Sequence, residues 1–138
     1  MTSGGNGKFY GTTYFGGAND SGTIFEFDPT TGITQSYHFP QTFGLGPLAA
    51  YPQAALTSAG NGKFYGVGVY GGVYNQGSIF EFDSTNGSIT LKGSLNCSVL
   101  CESYSPLTPS GNGKFYGLTG SGGANSLAVS YTHLRAHE

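Results

Sequence analysis

A seven-residue motif that occurs three times constrains the fold of this chain more than any other feature. The sequence Gly-Asn-Gly-Lys-Phe-Tyr-Gly stands at residues 5–11, 60–66 and 111–117. The copies begin 55 and 51 residues apart, and a period near 50 residues is typical of proteins built from stacked repeat units. One such unit cannot bury its own apolar residues, so we predict that neighbouring units share a core.

Each unit is predicted to consist of four short β-strands, because runs of aromatic and β-branched residues alternate with Gly/Asn turns. The second unit is the most complete, and its predicted strands are residues 53–57, 63–70, 78–83 and 88–95. The other units repeat parts of this pattern, at residues 8–14, 23–28 and 33–39, and at residues 105–108 and 114–118. No stretch has a helical period, so the predicted fold class is all-β.

Four strands per repeat favour four-stranded antiparallel blades of a partial β-propeller. The predicted parts are two nearly complete blades and part of a third, at residues 1–50, 51–101 and 102–128. The first blade is expected to lack its first strand. Gly11, Gly66 and Gly117 are expected to allow close backbone approach where blades converge. An open β-solenoid and a β-sandwich of duplicated units remain as alternatives.

The composition excludes several functional classes. The net charge of −2 offers no basic footprint for nucleic acid, and no apolar run is long enough for a membrane span. The chain has 25 glycines, but 14% aromatic residues at regular positions argue against disorder.

Cys97 and Cys101 can form a local disulfide or remain as two free thiols, and the further ligands that a zinc site needs are missing.

Recurring acidic residues are interpreted as structural. Glu26 and Asp28 recur as Glu81 and Asp83 in the second unit, whereas the two acids of a glycosidase must face each other across a substrate. An Asp before a turn can accept hydrogen bonds from free backbone N–H groups. His38 is interpreted as a surface or packing residue. We predict no catalytic residue, no cofactor and no metal site.

The candidate ligand-binding residues lie near the Gly-rich loops: Tyr14, Phe15, Asp20, Tyr70 and Tyr74. Exposed aromatic rings can stack on sugars, and Asp20 belongs to a loop that partly resembles the Asp-box hairpin of sialidase-like propellers. That loop is only a weak candidate for Ca²⁺, because it offers one carboxylate. The aromatic residues of the repeated motif are instead predicted to pack between blades: Phe9, Tyr10, Phe64 and Tyr65.

Two tandem segments carry a resemblance to a known family. Residues 8–28 read Lys-Phe-Tyr-Gly-Thr-Thr-Tyr-x-Gly-Gly-Ala-Asn-x-x-Gly-Thr-Ile-Phe-Glu-Phe-Asp, and residues 63–83 follow the same pattern with Val-Gly-Val-Tyr in place of Thr-Thr-Tyr-Phe. This pattern resembles the bacterial GloVer (Gloeo/Verruco) tandem-repeat family. The resemblance implies an exported, multi-blade protein, secreted or held at the cell surface, whose blades pack on their neighbours. It implies no established activity.

The last ten residues, 129–138, depart from the repeat. The pattern requires Thr-Ile-Phe-Glu-Phe-Asp here, but the chain reads Val-Ser-Tyr-Thr-His-Leu-Arg-Ala-His-Glu. This run resembles a translated reading frame of a transposon-end adapter used in DNA sequencing libraries. We therefore interpret it as non-native, give no weight to the spacing of His133 and His137, and expect the chain to be a fragment of a longer gene.

The leading functional prediction is a non-catalytic binding or surface-scaffold module whose loops contact a protein or a glycan. The alternative is part of a β-propeller enzyme, a glycosidase or a lyase, with its catalytic residues outside this chain. A cluster of His, Arg or acidic residues confined to one blade would favour the enzyme, and uniform blades would favour the module.

Overall fold

The computed structural model of the chain describes residues 1–39, 51–96, 100–101, 105–119, 121–122 and 129–135. Every regular element in these ranges is a β-strand, and all strand pairs are antiparallel. The predicted all-β class is confirmed. Cys97 lies outside the described residues and Cys101 is described only by its backbone, so their predicted alternatives stay open.

Two four-stranded sheets form the first two repeat units, and each is a meander in which sequential strands pair. Unit 1 contains β1 (Thr2–Ser3), β2 (Phe9–Thr13), β3 (Thr23–Asp28) and β4 (Gly32–His38). Unit 2 contains β5 (Thr57–Ser58), β6 (Lys63–Gly68), β7 (Ser78–Asp83) and β8 (Ser88–Ser94). The predicted strand at residues 78–83 is reproduced without a shift.

The third unit is a three-stranded sheet accompanied by a separate strand pair. Its strands are β10 (Thr108–Pro109), β11 (Lys114–Thr119) and β13 (Val129–Arg135), in that order. The separate pair is β9 (Leu100–Cys101) with β12 (Ser121–Gly122). The tail that the sequence analysis set aside thus pairs with β11 as strand β13. Strands pair through backbone N–H and C=O groups, so the open edge of a sheet can pair with any extended segment. This pairing therefore does not require the side chains of the repeat pattern.

The repeated motif forms the turn between the first two strands of each unit. Asn6, Asn61 and Asn112 each accept a hydrogen bond through Oδ1 from the backbone N–H of the lysine two residues later, at 3.0, 3.2 and 3.1 Å. The two glycines that flank each asparagine have φ between 75 and 85°, which an L side chain rarely adopts. The motif is therefore a turn followed by a strand, as its three equivalent positions predicted.

The first strands are shorter than predicted and lie later in the chain. Residues 53–57 were expected to form the first strand of unit 2, but the pairing begins at Thr57. The carbonyl of Leu56 instead accepts a hydrogen bond from the Thr2 hydroxyl at 2.5 Å. Unit 1 also has its first strand, β1, in contrast to the expectation that it would lack one.

Each sheet has two chemically different faces, because neighbouring residues of a strand point to opposite sides. The side that carries Tyr10, Tyr65 or Tyr116 is called the tyrosine face. The side that carries Phe9, Phe64 or Phe115 is called the phenylalanine face. The tyrosine face of one unit packs on the phenylalanine face of the next unit in the chain.

The junction between units 1 and 2 encloses the larger core. The Tyr10 ring lies 4.8 Å from the Phe64 ring and 5.8 Å from the Phe82 ring. The cluster is completed by Ile24, Phe39, Leu56 and Phe80, with Tyr37, Ile89 and Leu91 at its rim. Burying so many large apolar side chains stabilises the junction, by about 1.5–3 kcal/mol for each fully buried one.

The junction between units 2 and 3 repeats the same contacts. The Tyr65 ring lies 4.9 Å from the Phe115 ring, and the Thr57 hydroxyl donates to the Leu107 carbonyl at 2.5 Å. The core here also contains Val67, Ile79 and Leu95. The predicted packing between units is confirmed for Tyr10, Phe64 and Tyr65. Phe9 is half-buried on the other face of unit 1 and belongs to neither junction core.

The glycine that ends the motif is close to a ring of its own sheet. A Cβ on Gly66 would lie 2.3 Å from the nearest atom of Phe80, and one on Gly11 would lie 2.5 Å from Phe25. In each case the glycine pairs directly across the ladder with that phenylalanine. The space at these glycines thus admits a side chain of the same unit, as it also does at Gly117, where a Cβ would lie 2.9 Å from Leu107. The expectation that the backbones of two blades approach each other at these positions is therefore wrong.

The described sheets do not close into a ring, so the propeller architecture stays a prediction, as do the predicted blade boundaries. The antiparallel four-stranded sheets stacked face to face place two Gly-rich loops side by side at one end of units 1 and 2. These loops carry the predicted ligand-binding residues.

Candidate functional site

The candidate site lies at the end of units 1 and 2 where each sheet connects its second strand to its third. Residues 14–22 make this loop in unit 1, and residues 69–77 make it in unit 2. Because the two sheets pack face to face, the equivalent loops lie side by side. Phe15 and Tyr70 occupy equivalent positions in the two loops.

Tyr51 joins the two loops through its backbone. Its N–H donates to the Ser21 carbonyl at 2.9 Å, and its carbonyl accepts from the Val69 N–H at 3.3 Å. Tyr51 has φ of 63°, a conformation that is unusual for a large side chain and that persists only when the surroundings impose it. Pro52 follows as a fully buried residue and bridges to Gly68.

Four aromatic rings form a continuous cluster over this backbone link. The Tyr14 ring lies 4.6 Å from Phe15 and 5.1 Å from Tyr51. The Tyr51 ring in turn lies 5.6 Å from Phe15 and 5.7 Å from Tyr70. These separations are those of interacting aromatic pairs. We call the rings of Tyr14, Phe15, Tyr51 and Tyr70 the aromatic cluster.

The aromatic cluster faces solvent. Phe15 is 63% exposed and Tyr70 is 47% exposed. The motif tyrosines of the two sheets, Tyr10 and Tyr65, are instead buried at the junctions. A set of exposed rings held by one another and by backbone hydrogen bonds offers apolar faces at a small further entropic cost. Such rings can stack on the apolar face of a sugar or on an aromatic side chain of a protein.

The structure brings together three of the five predicted site residues, Tyr14, Phe15 and Tyr70. Tyr74 is 55% exposed and lies in the unit 2 loop, but its ring contacts none of the cluster rings. Tyr51 was not among the predicted site residues, because no motif surrounds it. The one available signal was a tyrosine before a proline in a connection, a combination that restricts the backbone.

Asp20 has a structural role within its loop. Its Oδ1 accepts a hydrogen bond from the Gly16 N–H at 2.9 Å, and its φ is 51°. Asn75 does the same in unit 2, where its Oδ1 accepts from the Gly71 N–H at 3.0 Å. Asp and Asn tolerate this left-handed backbone better than other residues with side chains. The shared geometry explains why either residue fits the position.

His38 fastens the unit 1 loop to its sheet. Its Nδ1 accepts a hydrogen bond from the Ala18 N–H at 3.2 Å. In unit 2 the Ser94 hydroxyl oxygen accepts from the Val73 N–H at 2.9 Å. The histidine and the serine therefore occupy equivalent positions, and each accepts a hydrogen bond from a backbone N–H of its loop.

The repeated glutamates lie at the junctions rather than at the loops. Tyr10 donates to Glu26 Oε2 at 3.0 Å, and Lys8 lies 2.8 Å from Oε1. In unit 2, Tyr65 donates to Glu81 Oε2 at 2.8 Å. Burial, reinforced by the hydrogen bond to Glu81, raises the pKa of Tyr65 above its usual 10.

The repeated aspartates cap turns. Asp28 Oδ1 accepts from the Thr30 hydroxyl at 2.5 Å and from its N–H at 2.8 Å. Asp83 and Thr85 repeat this arrangement at 2.6 and 2.9 Å. Hydrogen bonds from the threonine hydroxyl, then from its N–H, hold the pKa of each carboxyl below its usual 3.8. The predicted structural role of these aspartates is confirmed.

No group of three or more His, Cys, Asp or Glu residues in the described ranges is placed to hold a metal ion. No helix there is long and apolar enough to span a bilayer.

The fold and the repeated junctions define the chain as an all-β tandem-repeat protein. The family described as the Gloeobacter/Verrucomicrobia repeat matches residues 1–133. The chain belongs to this family, and the resemblance seen in the sequence is confirmed. No curated protein matches the chain.

A solved structure resembles the chain at a low level. It is a crystal structure of a Bacteroides fragilis protein that is named provisionally as a 6-phosphogluconolactonase. The two are 20% identical with a TM-score of 0.45, and the match covers 94% of this chain and 36% of the other. This chain thus spans about a third of that protein, and a likeness at this level carries no argument about activity.

Proposed function

We propose that the chain is a non-catalytic binding module of a β-propeller-like repeat protein, located outside the cell or on its surface. The aromatic cluster binds a glycan by stacking. One observation carries this proposal: four touching rings lie where the equivalent loops meet, with Phe15 and Tyr70 exposed and Tyr14 and Tyr51 half-buried.

The position of the aromatic cluster supports binding rather than packing. The motif aromatics Tyr10 and Tyr65 are almost completely buried and account for the junction cores. Phe15 and Tyr70 contribute nothing to those cores. Large exposed apolar groups gathered in one place mark interaction sites more often than scattered ones do.

The carboxylates support a non-catalytic role. Glu26 and Glu81 are buried at successive junctions, each hydrogen-bonded to a tyrosine and paired with a lysine. Asp28 and Asp83 are engaged at turns. These acids hold equivalent structural positions and do not form the facing pair that glycoside hydrolysis requires.

The test is glycan-array binding followed by calorimetric titration of the glycans that bind. Phe15→Ala and Tyr70→Ala are each expected to weaken binding about tenfold or more, since truncating an aromatic residue on which binding depends costs on the order of 2 kcal/mol. Tyr74→Ala is the matched control, because this tyrosine is equally exposed but lies outside the aromatic cluster.

Three outcomes would contradict the proposal. One is the absence of binding to any glycan, which contradicts the stacking on a sugar whether or not a protein partner is recovered. Another is a loss of binding in Tyr74→Ala that equals the loss in the cluster variants. Hydrolysis of a bound glycan would support the enzyme alternative instead.

A further inference from the structure

The dipeptide Asn-Gly occurs four times in the chain, and each copy lies in a turn between two strands. Three copies belong to the repeated motif and begin at Asn6, Asn61 and Asn112, and the fourth begins at Asn86, between β7 and β8. In this dipeptide the glycine nitrogen can attack the side-chain amide of the asparagine, because glycine has no Cβ to hinder the approach. The four sites thus share one intrinsic reactivity, and the fold determines how much of it each site keeps.

Asn61 and Asn86 make the closest comparison, because both lie in unit 2, which has a neighbouring unit on each face. Asn61 Oδ1 accepts a hydrogen bond from the Lys63 N–H at 3.2 Å, and Asn86 Oδ1 accepts one from the Ser88 N–H at 2.9 Å. Both asparagines are exposed, and the glycine after each has a positive φ, of 80 and 76°. Each side chain is therefore folded back over its own backbone in the same way.

The two glycines differ in how their nitrogens are held. The Gly87 N–H donates to the Asp83 carbonyl at 2.8 Å, and the Tyr37 ring of unit 1 packs so closely on Gly87 that an added Cβ would lie 2.7 Å from it. Within the described residues, the Gly62 N–H has no hydrogen-bond partner, and the side chains nearest to an added Cβ there lie 3.4 Å away. The Gly87 nitrogen is thus fixed by a hydrogen bond and a ring, and the Gly62 nitrogen by neither.

The other two copies of the motif resemble the site at Asn61. The N–H groups of Gly7 and Gly113 have no partner among the residues that the structure describes, and an added Cβ on either glycine would meet nothing within 4 Å. The asparagine before each glycine is exposed and accepts a hydrogen bond from the N–H of the motif lysine. The reactive arrangement is therefore a property of the repeated motif.

We propose that the motif asparagines Asn6, Asn61 and Asn112 are sites of spontaneous deamidation in the folded protein, and that the fold protects Asn86. At the motif turn of unit 2, the glycine nitrogen forms a bond to Asn61 Cγ and gives up its proton to water. The side-chain nitrogen takes up a proton and leaves as ammonia, so that a succinimide ring remains. Water then opens this ring, giving aspartate when the new N–Cγ bond breaks and isoaspartate when the original peptide C–N bond breaks.

At Asn86 the same attack requires the Gly87 N–H to leave the Asp83 carbonyl first. Breaking a backbone hydrogen bond before the attack slows the reaction by about tenfold. The contact with Tyr37 adds to this barrier, because it restricts the movement of the glycine toward the side chain.

The two products differ in their effect on the motif turn. Aspartate keeps an oxygen in the place of Asn61 Oδ1 and can still accept the hydrogen bond from the Lys63 N–H. Isoaspartate adds a CH₂ group to the backbone inside a turn that is closed by a 2.8 Å hydrogen bond from the Ala59 N–H to the Lys63 carbonyl. Isoaspartate is therefore the product that alters the connection between the first two strands of a unit.

The test is peptide mapping by mass spectrometry of the whole chain, incubated in mildly alkaline buffer and sampled over time. Chromatography separates the peptides that contain aspartate or isoaspartate from the unmodified ones, and circular dichroism follows the folded state. Asn61 is expected to deamidate at least about tenfold faster than Asn86. Asn6 and Asn112 are expected to react at rates close to that of Asn61.

A parallel incubation in urea is the control for the effect of sequence. Unfolding removes the hydrogen bond and the ring contact at Gly87 and leaves the same dipeptide at every site. The four asparagines are therefore expected to deamidate at similar rates in urea.

Several results would overturn the proposal. Equal rates at Asn61 and Asn86 in the folded protein contradict it directly, as does faster modification of Asn86. Motif sites that stay unmodified while the urea sample reacts would show that the motif turn protects its asparagine. A difference between Asn61 and Asn86 that persists in urea would assign that difference to the neighbouring residues rather than to the fold.

Discussion

At the scale of the residue, the junction tyrosine combines a buried ring with a buried hydrogen bond. Tyr65 is completely buried, packs on Phe115, and donates its hydroxyl proton to Glu81. Lys63 and Lys92 lie 3.5 and 3.7 Å from the same carboxylate. The hydrogen bond from Tyr65 and the two lysines thus offset the free-energy cost of burying the Glu81 carboxylate.

Replacing Tyr65 by Phe tests this hydrogen bond. The ring remains in the core, but Glu81 loses a donor, so the variant is expected to be less stable by about 1–3 kcal/mol. Urea unfolding measures the difference. Tyr70→Phe is the control, because its half-exposed ring can lose the hydroxyl at a cost within about 0.5 kcal/mol. Equal losses in the two variants would contradict the assigned role.

The same residue predicts a dependence on alkaline pH. The pKa of Tyr65 is higher in the folded chain than its usual 10, so the unfolded chain releases this proton first. The stabilisation is complete below about pH 10 and is lost as the pH rises toward the folded-state pKa. Tyr65→Phe is therefore expected to lose less stability between neutral and alkaline pH than the wild type does.

At the scale of the element, a phenylalanine ring covers a glycine in the facing strand of the same sheet. Phe80 of β7 lies over Gly66 of β6, and the missing Cβ makes room for the ring. An aromatic ring packed over a strand glycine offsets the loss of stability that the glycine causes in the strand. The sheet and the junction core therefore depend on the same contact.

Gly66→Ala is expected to lower the free energy of unfolding by about 1–3 kcal/mol, because the new methyl group would displace a fully buried ring. Gly93→Ala is the matched control in the same sheet. Its new Cβ would meet Ile79 at an ordinary 3.6 Å, so little change is expected. Gly11→Ala should fall between them, since Phe25 is half-buried and can move. A different order, measured by urea unfolding, would count against this explanation.

The strands and loops differ in how well the sequence predicts them. Local chemistry determined the turn at Asn61 and the alternation in Ser78–Asp83, and both were predicted. The course of residues 53–56 was not, because the Leu56 carbonyl binds a threonine 54 residues away. Tyr51 was missed for the same reason, since its partners are two loops that only the packing of units brings together.

At the scale of the whole molecule, the described units differ in how much of each is covered. Unit 2 has a neighbour on both faces, whereas units 1 and 3 each leave one face partly open. Local opening has a lower free energy where fewer apolar contacts must break. Stability is therefore expected to be highest in the middle of the chain.

Hydrogen exchange of the dilute protein, followed by mass spectrometry, measures this gradient. Amides of β6 and β7 are expected to exchange more slowly than those of β2, β3 and β11. Strands β3 and β7 differ only at their first residue, so a difference in their exchange reports on packing rather than on local propensity. Equal protection in the three units would indicate that the open faces do not weaken them.

The repeated junction also bears on how such a gene can change in length. Both described junctions use the same positions of the motif and of the strand before it. Recombination between two copies of the motif would add or remove one complete unit and would again place a tyrosine on a phenylalanine. The array can therefore vary by whole units in a single genetic event, without a compensating substitution at the new boundary.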